Sequence, residues 1–156
     1  AALPEGYLHG AHLDRGGEWV ARAIVGNFAP GLDGLATTAT SSGHILALGR
    51  EPEAMALAAS RVRELGGGAV IVEDGKIDWE AALPLAGIMS GGDFAEAVEF
   101  ARGLKSGLRR AGCPHADPLY SLLFLTADFL PGPRFTVDGV LDAASGKMIS
   151  HSAPTQ

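Results

Sequence analysis

The chain has 156 residues, a formal net charge of -6 and a hydrophobic fraction of 47%, enough for one domain with a sizeable core. Its acidic balance, with twelve scattered Lys and Arg, opposes a phosphate backbone or an anionic membrane surface, so neither nucleic acid nor a membrane is an expected partner. Mean hydropathy is only +0.18, and no apolar run approaches the roughly 18 residues that span a bilayer.

The start of the chain shows no basic n-region, so no signal peptide is visible. The single cysteine, Cys113, cannot form an internal disulfide and suits a reducing cytoplasm. Many of the 22 glycines fall between apolar runs and read as tight connections, not as disorder.

Residues 1–17 carry little periodicity and read as an extended lead-in. Residues 19–28 (WVARAIVGNF) are β-branched and aromatic, a strand pattern. Pro30, Gly31 and Gly34 break it, and LATTAT at 35–40 and HILAL at 44–48 predict two more strands. Residues 50–65 predict the first helix, with Pro52 in its first turn and Met55, Ala58, Val62 and Leu65 on one face. Gly66 is placed as its left-handed cap.

AVIV at 69–72 has the composition of a buried strand, and Asp74-Gly75 predicts a hairpin returning through residues 76–79. Residues 83–89 fit either a short strand or a packed loop. Residues 93–111 predict the second helix, with the stripe Phe94, Val98, Ala101, Leu104 and Leu108. Asp93 or Ser90 serves as its start and Gly112 as its end. Residues 119–125 fit a strand or a buried helical turn, 135–140 and 147–150 are strand-like, and 151–156 are expected to fray. Strands do not alternate strictly with helices. The order therefore predicts an α+β fold: a single domain over 1–156 with a mostly antiparallel or mixed sheet and two main helices.

Five features of the sequence carry residue types suited to chemistry. His9 and His12 read H-G-A-H, a spacing that lets two imidazoles share a metal on a helix face. The segment is glycine-rich and lacks further ligands, so coincidence is the better reading. Ser41, Ser42, Gly43 and His44 place hydroxyls and backbone N–H groups beside an imidazole, a turn able to hold a small polar ligand, although Ser and Gly are also ordinary choices for a solvated connection. Gly66-Gly67-Gly68 follows a helix and precedes a strand, the reverse of a phosphate loop. Cys113 follows a helix C-terminus, which works against a reactive thiolate. The carboxylates Glu73, Asp74, Asp78 and Glu80 surround a polar turn and read as solvated charges. The candidate ligand-binding residues are thus Ser41, Ser42, His44 and His9, with no catalytic or metal set.

Four stretches, ELGGGAVIVEDGKI (64–77), LPLAGIMS (83–90), AGCPHADPLYSLLFLT (111–126) and GVLDAASGKMIS (139–150), occur in one collinear order. As a set they resemble the C-terminal domain of the microbial adenine deaminase family, over nearly the whole chain. The resemblance implies a domain accessory to hydrolytic deamination of adenine to hypoxanthine in purine salvage. The family's (β/α)8 amidohydrolase-type barrel carries divalent metal such as Mn, Fe or Zn. A barrel needs roughly 200 residues or more, so this chain has no room for one and no cofactor of its own is expected. The implied partners are such a barrel, a purine ligand or further copies of the chain, in the cytoplasm. One departure stands out. The family enters its third strand through His-Asp-Ser-His-Asn, whereas this chain has Thr40-Ser41-Ser42-Gly43-His44. The isolated chain is therefore expected not to deaminate adenine.

Overall fold

A computed structural model describes residues 3–155. Its first strand, β1 (Tyr7–Leu13), falls inside the stretch 1–17 expected to be an extended lead-in, of which residues 1–2 lie outside the described residues. β1 lies inside the main sheet, paired on one side with β2 (Trp19–Gly26) and on the other with β4 (Ile45–Gly49). Burial alternates along it, with Leu8, Gly10 and His12 buried, yet one of those positions is a glycine and one a histidine. Hydropathy alone therefore shows no period of two. The glycine is needed, since a Cβ on Gly10 would lie 2.8 Å from the Phe135 ring.

β3 (Gly34–Thr37) pairs antiparallel with β4 and with β5 (Gly68–Glu73), and β5 pairs with β6 (Lys76–Ala82). With β10 (Ala153–Pro154) the order is β10-β2-β1-β4-β3-β5-β6, and every ladder is antiparallel. A smaller antiparallel sheet holds β7 (Pro133–Thr136), β8 (Gly139–Asp142) and β9 (Lys147–His151). Of the tail expected to fray, residues 153–155 are held instead, and residue 156 lies outside the described residues. Ala153 and Pro154 pair with Val20 and Trp19, and the Thr155 amide donates to Glu18 O at 3.1 Å.

Helix α1 (Pro52–Glu64) packs Ala54, Met55, Ala58 and Val62 on one face of the main sheet, against Ala36, Ile45, Ala47, Val70 and Val72. It ends as predicted. Gly66 takes φ +74°, and the amides of Gly66 and Gly67 donate to Arg63 O and Val62 O, closing a Schellman cap. The other face carries the larger core, where Leu8, Leu35, Leu46, Leu48 and Ile71 meet helix α2 (Phe94–Arg110), helix α3 (Pro118–Phe124) and the small sheet. The fold is α+β.

Segments left open by sequence resolve locally. Residues 118–124 are helical because Pro118 suits the first turn and Asp117 Oδ1 accepts from the amides of Leu119 and Tyr120. Residues 83–89 form a loop closed by reciprocal backbone bonds between Leu85 and Met89. Leu104 and Leu108 of α2 are fully buried, but Phe94 at its start is 84% exposed, so the first half of the predicted stripe is not core. Asp93 caps this helix through its side chain, accepting from the Glu96 amide.

Candidate functional site

Strand alternation decides where the two early histidines point. Positions three apart on a strand face opposite sides of the sheet. His9 lies on the α1 side, lining a hollow of about 340 Å³ with Arg22, Pro52 and Met55. His12 lies on the other side, fully buried beneath the small sheet. The H-G-A-H pair does not converge, and no group of three or more His, Cys, Asp or Glu among the described residues is arranged to hold a metal.

His12 meets the Ser-Ser-Gly turn instead. Its Nε2 is 2.9 Å from Ser42 Oγ, and its Nδ1 is 3.1 Å from the Thr136 carbonyl oxygen. A carbonyl only accepts, so Nδ1 carries the ring proton and Nε2 accepts from the Ser42 hydroxyl. Burial is the main cause that lowers the His12 pKa, from 6.5 to about 4, the bond to Thr136 working against the shift and His44 adding to it. The ring is therefore neutral at physiological pH. Trp19 and Phe135 wall it, with ring centroids 5.2 and 6.2 Å away.

Ser42 and His44 come together as the sequence suggests. The His44 amide donates to Ser42 Oγ at 3.2 Å, and the Thr40 hydroxyl donates to His44 O at 2.9 Å. His44 Nδ1 lies 3.2 Å from Asp14 Oδ1 and 3.4 Å from the Arg15 amide nitrogen. A protonated Nδ1 donates to the carboxylate, and an unprotonated one accepts from the amide. Trp19 packs edge-on against His44 at 5.0 Å. Ser41 turns the other way. Its amide donates to Thr126 Oγ1 at 3.0 Å and its hydroxyl contacts the Thr126 backbone and side chain, anchoring the turn to the end of α3.

Sequence reasoning found the turn but missed His12, Trp19, Asp14 and Thr136 as its neighbours. Thr136 is 124 residues from His12 in the chain, beyond the reach of any local signal. An apolar groove of about 710 Å³ opens beside the cluster and shares Thr40 with it. Its walls include Met89, Phe94, Phe100, Tyr120 and Leu123. The 83–92 loop that forms one side is tied down by Arg15, which donates to Ala86 O and Gly66 O.

Comparison with known proteins places this architecture. The family model described as the adenine deaminase C-terminal domain matches residues 2–147. A Bacillus anthracis protein named "Putative adenine deaminase" is 37% identical over 138 residues, covering 88% of this chain and 24% of the relative. A Bacillus subtilis protein of the same name is 36% identical over 138 residues, covering 88% and 23%. The adenine deaminase of Clostridium botulinum is 35% identical over 115 residues, covering 74% and 19%. The chain thus spans about a quarter of the length of the first of these relatives. It belongs to the adenine deaminase C-terminal domain family.

Proposed function

We propose that this domain is accessory to the hydrolytic deamination of adenine to hypoxanthine, a purine-salvage reaction whose catalytic metal sits in a separate barrel. The observation that carries the reading is the family match over residues 2–147 combined with the share of the relatives it fills, about a quarter. Attack on the C6 position of adenine needs an activated water, which a bound metal supplies in enzymes of this chemistry. The cluster at His12, Ser42 and His44 does not have the ligand number such a metal requires. The domain's part is then to cover, position or assemble the catalytic body. A cytoplasmic setting and homo-oligomerisation belong to the same reading, the first supported by the unpaired, buried Cys113.

A second reading is a purine-binding module on the turn of Ser41, Ser42 and His44. It is favoured by the neighbouring groove, whose volume falls within the usual range for small-molecule sites. His9 lies outside that site, on the opposite face of β1.

The test is incubation of the pure chain with adenine and Mn²⁺ or Zn²⁺, followed by chromatography for hypoxanthine. The accessory reading predicts no formation above the buffer rate. Metal-dependent hypoxanthine that disappears on substituting His9 or His12 overturns it. Calorimetric titration with adenine then addresses the second reading. Saturable heat abolished by His44→Ala supports a purine site on the turn, and the absence of heat removes it.

A further inference from the structure

The Ser42–His12 pair has no part in the accessory role proposed above. Ser42 is exposed, and its Oγ lies 2.9 Å from Nε2 of a buried imidazole whose other nitrogen is held by a backbone carbonyl. That is the order nucleophile, base, orienting group. We propose that Ser42 is a nucleophilic serine, activated by His12 as general base and reactive toward small uncharged esters.

The geometry supports that chemistry at the nucleophile and its base. The Thr136 carbonyl fixes the proton on Nδ1 and leaves the Nε2 lone pair facing the hydroxyl. Burial keeps the ring neutral across the physiological range, so the Nε2 lone pair stays turned to the hydroxyl. The His44 amide, 3.2 Å from Ser42 Oγ, donates to the same oxygen and fixes its place in the turn. Space is available at the turn, where a Cβ built on Gly43 meets nothing within 4 Å. The neighbouring Asp14 carboxylate, beside His44, disfavours anionic acyl groups, and the adjoining apolar groove favours uncharged ones.

In the reaction, Ser42 Oγ bonds to the acyl carbon and its proton passes to His12 Nε2. The ester C–O bond breaks, and the leaving alkoxide takes that proton and departs as the alcohol. Water then releases the acid by the same path in reverse, so the net change is ester plus water to acid plus alcohol.

An alkyl fluorophosphonate is the probe. The Oγ–P bond forms, fluoride leaves, and His12 takes the proton. Peptide mass spectrometry then reads labelling at each serine, with exposed Ser145, which hydrogen-bonds Asp142 rather than an imidazole, as the internal reference. General-base assistance predicts that Ser42 labels ~100-fold faster than Ser145. The adduct should vanish in Ser42→Ala and fall at least ~10-fold in His12→Gln. Should His12→Gln fail to fold, the unaltered chain supplies the second readout. Its Ser42 labelling should decline as pH drops through about 4 while circular dichroism still reports the native fold. Equal labelling of Ser42 and Ser145, or a Ser42 rate independent of pH across that range in the folded protein, overturns the proposal.

Discussion

His9 and His12 are three residues apart on one strand, yet they live in different environments. His9 is partly exposed on the α1 side, beside Arg22 and a shallow hollow. His12 is fully buried on the other side, with both ring nitrogens bonded and two aromatic rings against it. The difference follows from the strand's period of two, which sends neighbours in sequence to opposite layers. Residue type and spacing suggest a pair, and backbone geometry separates them. His12 thereby becomes the tie that joins β1, the turn after β3 and the small sheet.

The largest way to break this comparison is truncation. His12→Ala should cost about 3–4 kcal/mol, because it opens a cavity and strips Thr136 O and the Ser42 hydroxyl of a buried partner. Urea unfolding measures it, and His9→Ala is the matched comparison, expected to cost less than about 0.5 kcal/mol.

Acid is the next probe. The His12 pKa is lowered in the folded chain, so its contribution is fully present above 6.5 and is lost as pH falls from 6.5 through about 4. Over that window the loss approaches about 3 kcal/mol, and His12→Gln should flatten this part of the stability–pH curve. A profile identical in the wild type and in His12→Gln would remove the buried neutral imidazole from the account.

Smaller effects sharpen the picture at the turn. Ser42→Ala should cost about 1 kcal/mol, since the exposed side of the turn lets water replace the hydroxyl in part. Phe94→Ala should cost less still, about 0.5 kcal/mol or below, because an 84% exposed ring loses little burial.

These contrasts show what the sequence made legible. Helix α1 was readable because one signal, the spacing of Met55, Ala58 and Val62, coincides with a sheet long enough to cover it. The same period in α2 misled at Phe94, since amphipathic spacing marks a face without saying whether another element reaches it. β1 was missed because Gly10 and His12 occupy core positions where a strand pattern expects aliphatic residues, and the reason for Gly10 is the Phe135 ring, 125 positions later. The turn of Ser41, Ser42 and His44 was visible from its composition. Its chemistry was not, because the imidazole that bonds Ser42 belongs to a segment read as a lead-in. Likewise the tail reads as polar and frayed, yet two residues complete the sheet edge beside β2.

The most direct test is ¹⁵N nuclear magnetic resonance of the histidine side chains at pH 6, with His12 assigned by substitution. The account predicts a neutral His12 ring carrying its proton on Nδ1, the tautomer set by the Thr136 carbonyl. Both the structural tie and the reactivity proposed for Ser42 depend on it. A His12 that is an imidazolium at that pH, or that holds its proton on Nε2, would contradict both.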